Sequence, residues 1–263
     1  MKIFTLLSAA TLSLCSCSIN PAATISTGKD SNGNTTAVEA SSETSIRKEQ
    51  TEKFDKLQID GLFECVYTQN NENKYTVTIT GPKNIVDLYD LTVRNGQLRI
   101  DLKKGYRIKK YKTNDVLIEI SSPDLTKLSN DGVGKVTVEN LATNNFEMDA
   151  TGVGSTVIHN LKAQTVDLNN SGVGNVDIRL EAANVVLENS GVGKISASGK
   201  AKTADMENNG VGSIEAGSLI CETLEAENSG VGSIEAHATQ YAEYKNSGVG
   251  SVNIQGNGKV VKK

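Results

Sequence analysis

The tripeptide Gly-Val-Gly stands seven times in the second half of the chain, beginning at Gly132, Gly152, Gly172, Gly191, Gly210, Gly230 and Gly248. The spacings are 20, 20, 19, 19, 20 and 18 residues. A period of this length marks a solenoid, in which one unit is stacked copy upon copy. Counting from the first Gly of each copy, position +4 holds Val136, Thr156, Val176, Ile195, Ile214, Ile234 and Val252. Position +6 holds Val138, Ile158, Ile178, Ala197, Ala216, Ala236 and Ile254. Between them, position +5 is mostly polar, as at Thr137, Asp177, Glu215 and Glu235. Period-2 alternation of this kind reads as a strand with one buried face. The segment before the tripeptide alternates too, with Leu128, Met148, Leu168, Leu187, Met206, Ala226 and Tyr244 at −4.

Each copy therefore reads as two short strands hinged at Gly-Val-Gly. A two-residue hairpin would fold them on each other and leave no reason for the columns to keep their chemistry. Stacking supplies the reason, because each strand then pairs in parallel with its counterpart one turn on. The expected fold is all-β, a parallel β-helix of coils about 20 residues long rising ~4.8 Å each, so that seven coils make a section about 29 Å long. The structural corner consists of the seven first glycines together with Gly134, Gly154, Gly174, Gly193, Gly212, Gly232 and Gly250. Glycine supplies backbone angles closed to other residues, and the valine between is expected to point into the core. At −2 stand Asn130, Asn170, Asn189, Asn208, Asn228 and Asn246, with Ala150 as the break. Parity turns these inward, where stacked amides can hydrogen-bond along the rod. A phosphate-cradling glycine loop would open a helix, whereas here a strand follows.

The alternating runs at Lys56–Asp60, Tyr75–Thr80, Gln97–Leu102 and Val116–Ile120 are separated by turn residues such as Gly81-Pro82 and Asn95-Gly96. They read as longer, irregular β coils over 51–125, covering one end of a regular section over 126–255. Residues 256–263 read as a tail. The far end has only Tyr241, Tyr244 and this Lys-bearing tail to cover it.

Residues 1–17 read as a lipoprotein signal peptide. Lys2 precedes an apolar run, Ile3 to Leu14, too short to span a bilayer. The run ends in Leu14-Cys15-Ser16-Cys17. This resembles a lipobox, with Cys17 as the lipidated residue and several acyl chains holding the mature protein on a membrane. Residues 18–50 are rich in Ser, Thr, Asn, Ala and Gly and read as a flexible tether. Beyond the signal only Cys65 and Cys221 remain. They read as two separate buried residues, although an extracytoplasmic compartment would permit a disulfide.

The order of segments resembles a known family. Phe54-Asp-Lys-Leu is followed by Gly81-Pro82-Lys-Asn, Asn95-Gly96-Gln-Leu-Arg-Ile, Ser122-Pro123-Asp-Leu and the Gly-Val-Gly coils. This looks like the head GIN domain, described as an autotransporter-adhesin head and found in bacterial envelope lipoproteins. The resemblance covers about residues 54–255. It implies a parallel β-helix, an extracytoplasmic setting and a role in adhesion, and it carries over no catalytic residue.

The chemistry-bearing residues are spread along the rod. His159 and His237, the only histidines, fall four coils apart, about 19 Å on this spacing and too far to share a proton or a metal. Carboxylates form an outward column at −5 (Glu147, Asp167, Asp205, Glu225, Glu243), with Asp149, Glu188, Glu207 and Glu227 beside it at −3. Like charges on adjacent strands repel, so this acidic face is either a solvated surface or a binding face for divalent cations or a basic partner. The run Lys103, Lys104, Arg107, Lys109, Lys110 and Lys112, with Tyr106 and Tyr111, has the opposite sign. It reads as a solvated loop or a contact for acidic glycans or lipid phosphates. The net charge of −4 offers nothing to nucleic acid.

The resulting expectation is a non-catalytic lipoprotein of the cell envelope, on the outer membrane and facing either side. It is an adhesin or interaction module held to the membrane by its lipid, with a glycan or protein as partner, no cofactor and no resident metal. A glycan- or divalent-cation-binding module using the acidic face is the alternative, and a carbohydrate-active enzyme comes last. Oligomeric state is left open.

Overall fold

The seven tripeptides lie one above another. In the computed structural model, which describes residues 23–26, 34–112 and 115–263, Val153 pairs with Val133 and Val173, Val192 with Val173 and Val211, and so on through Val231 and Val249, always parallel. The strands before the corner stack likewise, Lys127–Asn130 on Asn145–Ala150 and that strand on Thr165–Asn170. The chain is a parallel β-solenoid of about seven turns, as its period implies. The +4, +6 and −4 columns supply the core together with a column at −6, Phe146, Val166, Val185, Ala204, Leu224 and Ala242. Leu128, Met148, Leu168, Leu187, Met206 and Ala226 all have no exposed surface.

The corner is held by close approach. The N–H of each corner valine donates to the carbonyl of the first glycine one coil back, at 2.9 Å from Val153 through Val249. That carbonyl points at the glycine stacked above it. A Cβ placed on Gly191 would lie 2.2 Å from Gly172 O, and one on Gly212 would lie 1.7 Å from Gly193 O. Gly212 also has φ +157°, at the edge of the region that disfavours side chains. The first glycine is therefore required by space, and the second by space everywhere and by backbone angle as well at Gly134, Gly193, Gly212, Gly232 and Gly250.

The asparagine ladder forms as expected. The Nδ2 of Asn170 donates to Asn189 Oδ1, and the relay continues through Asn208 and Asn228 to Asn246, at 3.0, 2.8, 2.8 and 2.9 Å. All four bonds point the same way. Asn189, Asn208 and Asn228 are wholly buried, so the mutual pairing satisfies amides that would otherwise destabilise the core. At the Ala150 break, Asn130 donates to Thr156 Oγ1 instead.

Three features differ from the sequence reading. The corner valines point outward. Val153, Val173, Val192, Val211, Val231 and Val249 are 46–71% exposed, because Asn at −2 faces inward and strict alternation then turns +1 outward. Each coil also has a third run of paired residues, carrying the buried Leu141, Leu161, Leu180, Leu219 and Cys221. Here the register shifts absorb the differences in coil length. Ile158–Leu161 faces Ile178–Leu180, one residue shorter, where the repeat drops from 20 to 19. Finally, the range read as a tether contains β1 (Ala23–Ser26), β2 (Thr36–Glu39) and β3 (Thr44–Gln50). The tail likewise contributes a strand, Lys259–Lys262, paired with Tyr241–Tyr244.

The coil below the first Gly-Val-Gly comes from β4 (Lys56–Ile59) and β5 (Glu64–Gln69), which stack under Lys127–Asn130 and Val136–Val138. Its corner is Gly61-Leu62-Phe63, with Gly61 beneath Gly132 and Phe63 beneath Gly134. Between this coil and the next, the chain builds an end cap. It comprises β6 (Thr76–Pro82), α1 (Lys83–Val86), β7 (Tyr89–Arg94), β8 (Gln97–Leu102), β9 (Tyr106–Tyr111) and β10 (Leu117–Ser122). The hairpin β7–β8 extends one face of the rod through the parallel pair β8–β4. The strands β10, β6 and β3 extend another. Ile85 and Val86 of α1 are buried, and Phe63 packs edge-on against Tyr89 at 5.4 Å.

Cys65 and Cys221 are separate, buried free thiols, and burial pushes them up to about 12 and about 11. Neither is expected to react with a thiol reagent until the chain is unfolded; rapid labelling of the native protein would contradict their placement. In denaturant titrations, Gly212→Ala is expected to cost at least about 2 kcal/mol. Asn208→Ala, which orphans the amide below and the carbonyl above, should cost about 2–3 kcal/mol. Val211→Ser should stay within about 0.5 kcal/mol.

Candidate functional site

Because the second glycine cannot carry a side chain and the first lies against its neighbour, the outer corner offers only valines and the residue at −1. That column is Asp131, Thr151, Ser171, Ser190, Asn209, Ser229 and Ser247. Six exposed valines in register span about 24 Å at the inter-coil spacing. Beside them runs a shallow groove of about 720 Å³, floored by the glycines and lined by the hydroxyls of Ser171, Ser190, Ser229 and Ser247 with the Asn209 amide among them. Ser229 and Ser247 hydrogen-bond to each other at 3.1 Å across adjacent coils. The arrangement is an apolar stripe with a rank of hydroxyls beside it. It can offer van der Waals contact and hydrogen bonds, and it holds no acid–base pair.

The corner glycines named from the sequence all come together in this one line, and the signal for the stripe was in the repeat itself. Parity from the inward Asn column places the valine outside, whereas apolar character alone suggests the core. The degenerate corner at Gly61-Leu62-Phe63 was missed because only its glycine matches, yet Lys56-Leu-Gln-Ile before it repeats the alternation of Lys127-Leu-Ser-Asn.

The acidic column projects outward, and its ends carry their own counter-ions. Lys127 bridges Glu147 and Asp149, the latter at 2.8 Å. Lys263 bridges Glu225, at 2.8 Å, and Glu243, while Lys245 holds Glu227 at 2.5 Å. Their hydrogen bonds hold the carboxyls of Glu243 and Glu227 below the usual range. Asp205 behaves oppositely. Partial burial, then the charges of Glu225 and Glu207, raise its carboxyl. Val186 interrupts the column between Asp167 and Asp205. The described residues bring together no group of three His, Cys, Asp or Glu side chains placed to hold a metal ion. His159 is exposed and His237 half-buried, on separate coils. Cys17 lies outside the described residues.

A raised carboxyl means that ionised Asp205 is less favourable in the folded chain than in the unfolded one. Its penalty is present at neutral pH and is relieved as pH falls through the folded value. Asp205→Asn is therefore expected to raise stability at pH 7 by about a few tenths of a kcal/mol, since the carboxyl is only partly buried and is screened by solvent. The advantage should vanish below the unfolded value of about 3.9. Melting curves at both pH values check this, and a destabilised variant at pH 7 would contradict it.

Solved structures share the architecture. A protein from Bacteroides fragilis described as a "putative adhesin" is 30% identical, with a TM-score of 0.65, and the match covers 86% of this chain and 94% of that one. A protein from Parabacteroides merdae with the same description is 20% identical at a TM-score of 0.77, covering 86% and 95%. A protein from Parabacteroides distasonis described as a "putative lipid binding protein" is 20% identical at a TM-score of 0.71, covering 87% and 100%. No curated protein matches the chain. A family model matches residues 53–258, and with the in-register corners and the end cap this settles the assignment: the chain belongs to the family described as "Putative auto-transporter adhesin, head GIN domain".

Proposed function

We propose that this protein is a non-catalytic envelope lipoprotein that acts by surface contact. Acyl chains on Cys17 hold it to the membrane, and the valine stripe with its rank of hydroxyls is the adhesive face. The observation that carries this reading is the register of six exposed valines along one line. A contiguous apolar stripe on a water-facing rod marks a contact surface, and a stack with alternation on both sides of its corner could have placed polar residues there. The family assignment and the adhesin description of the Bacteroides fragilis relative support an extracellular or envelope setting. The acidic face supports a contact role less well, since lysines of the same chain occupy both its ends.

The test has two stages. Protease treatment of intact cells should remove the protein, and cells carrying Val173→Ser, Val192→Ser and Val211→Ser together should bind matrix-coated surfaces about tenfold less than wild type, a loss of about 1.4 kcal/mol of binding. Circular dichroism of the variant should be unchanged. Protection of the protein until the outer membrane is opened, or full adhesion by the folded triple variant, would overturn the adhesive reading.

A further inference from the structure

The cap end of the rod carries a strand whose charge the solenoid does not use. β9 lies in the middle of a three-stranded sheet, antiparallel to β1 and parallel to β2. Ile108 at its centre has no exposed surface. Arg107 and Lys109 alternate with it and are half-buried, while Lys104 before the strand and Lys112 after it are exposed. Between residues 103 and 112 the chain has six cations and no acid. Among the described residues, the acidic groups nearby are accounted for. Asp90 and the Asp87 carbonyl engage Lys103, Asp115 accepts the backbone N–H of Lys112, and Glu39 stands opposite Lys109 in the strand register and has a partner of its own. Among the described residues, Lys104, Arg107, Lys109 and Lys112 enter no ion pair.

The register fixes where this strand sits relative to the anchor. Ala23 of β1 pairs with Tyr111 and Ser26 with Arg107. Cys17 precedes Ala23 by six residues, which span at most about 20 Å when fully extended. A 33-residue tether would let the rod swing freely, but the chain is tied to β9 after six. A lipid on Cys17 therefore keeps the basic strand within about 20 Å of the headgroup layer, close enough to settle on it, where attraction to anionic lipid acts within a Debye length.

We propose that Lys104, Arg107, Lys109 and Lys112, on β9 and at its two ends, dock on the anionic headgroups of the membrane that holds the lipid anchor, so that the rod stands with its capped end down. The proposal rests on acylation at Cys17, and the two can be tested apart. The mature chain from residue 18, made without its lipid, is expected to co-sediment with vesicles of phosphatidylcholine and phosphatidylglycerol and not with vesicles of phosphatidylcholine alone. Binding should weaken steeply with added salt. Lys104→Glu, Lys109→Glu and Lys112→Glu together should lower binding at least about tenfold with an unchanged circular dichroism spectrum. Equal sedimentation with both kinds of vesicle, or a folded triple variant that binds as well as wild type, overturns the proposal. Metabolic labelling of the full chain with an alkyne fatty acid, lost in Cys17→Ser, reads the anchor separately. Absence of that label would sink the anchoring and leave the vesicle result to stand by itself.

Discussion

One carbonyl oxygen sets the geometry of this protein. At each corner the first glycine's C=O accepts the valine N–H of the coil above and leaves no room for a Cβ on the glycine stacked over it. That contact forces the coils into a single register. Once the corner is fixed, alternation decides every neighbouring column. Asparagines turn inward and must pair with one another, aliphatic residues at ±4 and ±6 meet in the core, and valines turn to solvent. A slip of one residue would send all of these to the wrong face. A hydrogen bond, a steric exclusion and a buried amide relay therefore enforce the same alignment. Consistency of this kind across levels is what allows a sequence to specify one fold.

The repeat made much of the fold legible. Period, parallel stacking and the amide ladder all follow from columns that keep their chemistry through seven copies. The third strand run was hidden because the coils differ in length there. Leu161 and Leu180 are neighbours in space but 19 apart in sequence, while Gly199 stands where Leu180 and Leu219 have side chains. No column survives a shifting count. The strand Thr44–Gln50 was hidden for another reason. It is an edge strand against β6 with polar residues on both sides, and only Ile46 interrupts Thr, Ser, Arg, Lys, Glu and Gln. Composition described its exposure correctly and its order wrongly.

The candidate surfaces were less legible than the core. Valine by itself argues for burial, and only counting outward from the asparagine shows that it must be exposed. The acidic column was visible, but its neutralisation was not. Lys127 occupies the column's own position one coil earlier, while Lys263 reaches back from a segment that reads as a tail. The basic strand was visible as a charge run. Its closeness to Cys17 emerged only from the pairing of β1 with β9.

The direction of the inter-coil hydrogen bonds bears on how such a rod would carry load. Backbone and asparagine bonds alike run from coil to coil, along the axis. A pull applied at the last coil and resisted at the capped end loads these layers in series, so the coil with fewest neighbours yields first. That coil is at the end where Val252 and Ile254 are only partly covered. A pull across the axis, as on the valine stripe, is shared by several coils at once. The molecule is thus mechanically anisotropic, compliant by peeling from its tip and stiff against traction on its flank.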